Sequence, residues 1–165
     1  FHTPLTYSGD YPTYHLCDAS FLTKCRRNAL IINAARGGIV DEQALLNSGR
    51  PFVLDTWENE PSINLQVLRH ARLASMHIAG YSTEGKRNAT YMCLAAIARH
   101  FHLPLIEPST NHTTPATTNS GWLLRLTEQM KSAFTQPSNI IPQPSNLSHQ
   151  IADIFESLRK NYPLR

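Results

Sequence analysis

The stretch from Ile32 to Leu45, Ile-Asn-Ala-Ala-Arg-Gly-Gly-Ile-Val-Asp-Glu-Gln-Ala-Leu, constrains this chain more than any other. An apolar run ends at Asn33, passes through an Arg-Gly-Gly turn, and re-enters regular structure at Asp41, whose short carboxylate suits a helix N-cap. A strand that turns tightly into a capped helix leaves one arginine, Arg36, at the mouth of a sheet.

The same order recurs downstream. Leu30 to Asn33, Phe52 to Asp55 and Leu73 to Met76 are short apolar runs bounded by Gly, Pro or polar residues, as expected of buried parallel strands. Between them, Asp41 predicts a helix over 42–47 closed by Gly49, and Ser62 or Asn64 starts a second one that ends near His70. Strands alternating with helices imply βαβ units with right-handed crossovers. Ligands of such sheets sit at the carboxyl ends of the strands, where Arg36, Glu60 and His77 all fall.

Farther on, Tyr91, Leu94, Ala95, Ala98 and Phe101 have helical spacing and predict a long helix over 82–102 with an apolar packing face. Residues 104–121 and 136–149 are rich in Pro, Thr, Ser and Asn and read as loops or linkers. Trp122 to Phe134 and Ile151 to Leu158 read as amphipathic helices. The composition shift places a domain boundary near residue 103, with 1–103 as one unit and 104–165 as a second.

Charge and cysteine usage narrow the function. A net charge of +3 with scattered Lys and Arg gives no phosphate-tracking patch, so nucleic acid is not implied. Three cysteines, Cys17, Cys25 and Cys93, with no C-x-x-C pairing suit reduced thiols in the cytoplasm better than a disulfide framework. No apolar run approaches the roughly 20 residues of a membrane-spanning helix. His100 and His102 have no Cys or acidic partner at ligand spacing, and no metal site is expected.

What remains is an Arg, a Glu and a His, the set needed to hold a 2-hydroxy acid and take its hydroxyl proton. Arg36, flanked by Gly37, is free to fork onto a carboxylate. His77 follows an apolar run and precedes Gly80, and histidine is the residue type suited to accept a hydroxyl proton and return it. A carboxylate beside it would fix its tautomer and favour its imidazolium. Glu58 and Glu60 compete for that role.

These segments resemble the second half of the NAD-dependent D-isomer-specific 2-hydroxyacid dehydrogenases, whose signature reads roughly Asn-x-x-Arg-Gly-x-x-Val-Asp-x-x-Ala-Leu. The Glu60-Pro61 step matches the family pattern, which assigns the carboxylate to Glu60 and leaves Glu58 as a surface charge. The run His77 to Lys86, the opening His2-Thr3-Pro4-Leu5 and the closing Leu158 to Pro163 are similar to the members that oxidise 4-phospho-D-erythronate in vitamin B6 biosynthesis. The resemblance implies Arg36, Glu60 and His77 as catalytic residues and NAD as cofactor. It also implies that Thr3, Ala34, Ala35, Arg36, Asp55 and Gly80 line the cofactor, with Tyr81 on the substrate.

The implied fold is α/β: the C-terminal half of a Rossmann-type doubly wound parallel sheet, followed by part of a small α+β domain that mediates homodimerisation. The chain opens at Phe1 in what reads as the end of a strand, and it contains no G-x-G-x-x-G, so an internal fragment without the pyrophosphate-binding turn is expected. Two other readings stay open. One is a different substrate, such as phosphoglycerate or glyoxylate; the other is a non-catalytic NAD-sensing or dimerisation module, as in corepressors that keep this fold.

Overall fold

The structure is a computed structural model that describes residues 1–80, 83–104, 121–135 and 147–161. Three short parallel strands form its sheet: β1 (Ile31–Asn33), β2 (Phe52–Leu54) and β3 (Leu73–Ala74), in the order β1-β2-β3. Helix α1 (Ala19–Lys24) precedes the sheet. Helices α2 (Glu42–Asn47) and α3 (Leu65–His70) make the two crossovers that parallel neighbours require.

Capping chemistry sets these helices. The Asp41 carboxylate accepts the Ala44 N–H at 2.8 Å, and Asn64 accepts the Gln66 N–H at 2.9 Å, each satisfying a donor that the first turn leaves free. Of the two starts the sequence offered for α3, Asn64 is the cap. The chain leaves α2 through Gly49 in the left-handed region, φ +64°. Asp18 caps α1 in the same way through the Phe21 N–H; that helix was not anticipated, because its one buried side chain, Leu22, leaves no helical spacing to read.

Register explains which side of the sheet is the core. Ile31 pairs with Phe52, and Asn33 pairs with Leu54, which in turn pairs with Ala74. These five residues share one face and are all buried. Their apolar members join Leu22, Leu45, Val67 and Leu68 from α1 to α3 in a single cluster. On the opposite face Ile32 is 47% exposed.

Three further helices follow: α4 (Thr83–His100), α5 (Gly121–Thr135) and α6 (Leu147–Lys160). Leu94 and Phe101, expected on the packing face of α4, are 53% and 64% exposed, while Ala98 is buried. Most of that face is uncovered among the described residues. Helices α5 and α6, beyond the boundary drawn at residue 103, contribute Met130, Phe134, Ile151 and Phe155 to the same cluster as the strands. Helix α5 also closes the β3 edge: the buried Thr127 hydroxyl accepts the Ala74 N–H at 2.9 Å and donates to the Leu123 carbonyl at 2.8 Å.

Residues 105–120 and 136–146, most of the predicted linkers, lie outside the described residues. No helix among the described residues is long and apolar enough to cross a membrane. No group of three or more His, Cys, Asp or Glu among them is placed to hold a metal ion.

Candidate active site

Because the strands are parallel, all three release their chains at one end of the sheet, and each exit carries one of the candidate residues. After β1, the buried Asn33 side chain shapes the turn. Its amide nitrogen donates to the Arg36 carbonyl at 2.9 Å and its oxygen accepts the Ala35 N–H at 3.2 Å. Arg36 is thereby held at the rim with its side chain exposed, and its Nη1 donates to the Ala35 carbonyl at 2.6 Å. Asn33 was missed as a site residue, although its place three residues before Arg36 in the signature was the signal.

After β2, the chain runs through Asp55, Thr56 and Trp57 to Glu60. Trp57 is buried and donates its indole N–H to the Ser75 carbonyl at 2.8 Å, tying this exit to that of β3. The Glu60 carboxylate curls back so that Oε1 accepts the Trp57 N–H at 2.6 Å. Its second oxygen, Oε2, lies 2.7 Å from Nδ1 of His77.

After β3, His77 adopts a left-handed backbone, φ 56°, and its N–H donates to the Asp55 carbonyl at 2.7 Å. A non-glycine residue held in that region costs on the order of 1 kcal/mol or more, a cost that clusters at functional sites. With Nδ1–H donating to Glu60, the lone pair of Nε2 is left to accept a proton. The side chains of His77 and Glu60 are about one-fifth exposed, so the pair is shielded and still reachable.

The Arg36 and Glu60 turns are locked together by backbone contact. A Cβ on Gly37 would lie 1.9 Å from the Trp57 carbonyl oxygen, so only glycine fits there. Gly38, at φ +79°, supplies the left-handed step that follows.

An open cavity of about 760 Å³ lies beside these exits, lined by His2, Thr3, Pro4, Leu5, Ala34, Ala35, Arg36, Ala79 and Gly80. Of the residues expected at a cofactor, Thr3, Ala34, Ala35, Arg36 and Gly80 come together on its wall. Asp55 does not line it. Its buried carboxylate accepts the Ser75 hydroxyl at 2.6 Å and the Ile78 and Ala79 N–H groups at 2.8 and 2.9 Å, so it shapes the 75–79 turn from behind. Tyr81, expected on the substrate, lies outside the described residues.

Glu58 corrects the sequence reading. In place of a solvated surface charge, its side chain is 22% exposed and sits 2.7 Å from Nε2 of His15. Its backbone N–H donates to Oε1 of Glu42 at 2.7 Å. Glu42 is itself buried at the start of α2, and burial pushes its carboxyl up to about 7, partly opposed by that N–H and reinforced by the charges of Glu58 and Glu60.

Residues 1–79 match the family described as the NAD binding domain of the D-isomer specific 2-hydroxyacid dehydrogenases. Residues 1–79 belong to that family. Over its whole length this chain is 39% identical to an erythronate-4-phosphate dehydrogenase of Bacteroides thetaiotaomicron, aligned over 170 residues that are 47% of that protein. It is 35% identical to an erythronate-4-phosphate dehydrogenase of Coxiella burnetii, over 99% of this chain and 46% of that one. The chain spans about half the length of the curated relatives it matches. Among solved structures, the D-mandelate dehydrogenase of Rhodotorula graminis aligns with 65% of this chain and 33% of its own at a TM-score of 0.49 and 23% identity.

Proposed function

We propose that this chain belongs to an enzyme that oxidises 4-phospho-D-erythronate at C2 with NAD⁺, giving (R)-3-hydroxy-2-oxo-4-phosphooxybutanoate for pyridoxal phosphate biosynthesis. The observation that carries the reading is the 2.7 Å contact between Glu60 and His77 at the same sheet end as Arg36. The names of the curated relatives support the substrate.

In this reading His77 takes the C2 hydroxyl proton on Nε2, and Glu60 stabilises the imidazolium that results. Arg36 holds the substrate carboxylate and polarises the oxygen that becomes the carbonyl. The small residues Ala34, Ala35, Ala79 and Gly80 leave a wall that a flat ring can approach closely, which fits the nicotinamide end of the cofactor. Bound there, NAD⁺ supplies the hydride acceptor. Asp55 contributes by fixing the 75–79 turn behind that wall, and Tyr81 is assigned to the substrate phosphate. The reading includes a cytoplasmic homodimer, with the dimer contact in the region 104–165.

The test is NADH formation by the full-length protein with a panel of 2-hydroxy acids. Turnover of 4-phosphoerythronate far above that of phosphoglycerate is the expected result. The reverse order would overturn the substrate assignment and keep the chemistry.

A further inference from the structure

Glu58 is tied at two points that the proposed reaction does not use. Its N–H donates to the buried Glu42 on α2, and its carboxylate pairs with Nε2 of His15 at 2.7 Å. His15 is in turn held by three further contacts. Its N–H donates to the Gly38 carbonyl at 2.7 Å, its ring stacks on Tyr14 with centroids 4.0 Å apart, and its Nδ1 lies 3.9 Å from Asp41. The backbone at His15 is left-handed, φ 51°.

These contacts converge on one short segment. Glu58 lies between Trp57, whose N–H holds Oε1 of Glu60, and Asn59, which turns the chain in the left-handed region at φ 62°. A shift of Glu58 therefore moves both the Glu60 carboxylate and the peptide that anchors it. The other partner of the clamp, His15, follows the segment 2–5 that lines the cavity.

We propose that Glu58 is a positioning residue, clamped at its backbone by Glu42 and at its carboxylate by His15, which holds the turn that presents Glu60 to His77. The inference rests on the Arg36, Glu60 and His77 reading of the site. It separates this glutamate from Glu60: one touches the imidazole, and the other holds the loop that carries it.

The test combines a spectroscopic and a kinetic readout. In the 165-residue chain, ¹⁵N and ¹H signals of His77 report whether Nδ1 carries the hydrogen-bonded proton; in the full-length protein, steady-state rates report the consequence. Glu58→Ala is expected to weaken the Nδ1–H signature and to lower kcat by about tenfold to a hundredfold, the scale of a misplaced catalytic group, with KM for NAD⁺ unchanged. Glu58→Gln keeps an acceptor for His15 and is expected to restore both. His15→Ala should imitate Glu58→Ala, and the double variant should be no worse than the poorer single one.

An unchanged His77 signature in a folded Glu58→Ala, additive losses in the double variant, or equal damage in Glu58→Gln and Glu58→Ala would each overturn the clamp. If the wild-type protein turned over no 2-hydroxy acid at all, the reaction assignment would fail while the His77 signals still decided the positioning role.

Discussion

Oε2 of Glu60 and Nδ1 of His77 lie 2.7 Å apart, while the other oxygen of the same carboxylate holds the Trp57 N–H at 2.6 Å. One carboxylate thus fixes the tautomer of the imidazole and is itself fixed by the chain that delivers it. The arrangement determines which ring nitrogen is free to work.

Under the proposed reaction, His77→Asn in the full-length protein is expected to cut kcat by at least about two orders of magnitude, the usual scale of general acid–base catalysis, with little change in NAD⁺ affinity. Glu60→Gln acts differently. It withdraws a charge that favours the imidazolium, so the acidic limb of the kcat/KM profile should move to lower pH. A Glu60→Gln profile that coincides with wild type would remove Glu60 from the pair.

Gly37→Ala tests the contact between the Arg36 and Glu60 turns. The new methyl would meet the Trp57 carbonyl at 1.9 Å, an atom of the backbone that cannot swing aside. Overpacking of this kind costs about 1–3 kcal/mol, and the backbone origin of the clash puts the expectation at the upper end. The measurement is urea unfolding of the 165-residue chain; a midpoint equal to wild type would mean that the turns are not in contact.

Much of this was legible in the sequence because the signals are local. The apolar runs gave three strands within one or two residues, and Asp41 and Asn64 cap helices where their short polar side chains suggested. The placement of Arg36, Glu60 and His77 at one end of the sheet followed from parallel topology, since each residue trails a strand. What escaped is what depends on the third dimension. Glu58 looks solvated in sequence because its partners, His15 and Glu42, lie 43 and 16 residues away. Asp55 carries the hydrogen bonds of a turn twenty residues on, and that demand has no local pattern. The packing of α5 against β3 was hidden for the same reason: a threonine on a helix and an edge strand 53 residues before it say nothing of each other in sequence.

Thr127 offers a direct measure of that packing. Its buried hydroxyl accepts the Ala74 N–H and is 1% exposed. Thr127→Val keeps the shape and strands the N–H without an acceptor, a loss of about 1–3 kcal/mol. Thr127→Ser keeps the hydroxyl and should recover most of it. Equal stability of the Val and Thr proteins would show that α5 does not close the sheet edge.

Glu42 gives the chain a pH dependence whose sign follows from its environment. Burial raises its carboxyl from the ordinary 4.5 to about 7 in the folded chain. Below 4.5 both folded and unfolded states hold the proton. Between 4.5 and about 7 the unfolded chain releases it while the folded chain keeps it, so the folded state binds more protons and stability falls as pH rises. The accumulated loss is about 3 kcal/mol once pH passes 7, at roughly 1.4 kcal/mol per unit. Glu42→Gln stays neutral and can still accept the Glu58 N–H. It should therefore flatten the slope of this contribution between pH 5 and 7 and raise stability at pH 8 by on the order of 1–3 kcal/mol. Urea unfolding at pH 5, 6, 7 and 8 separates the two proteins. Parallel stability curves, with the same slope in both, would show that Glu42 ionises in the folded chain as it does in water, and that the N–H of Glu58 together with local hydration outweighs its burial.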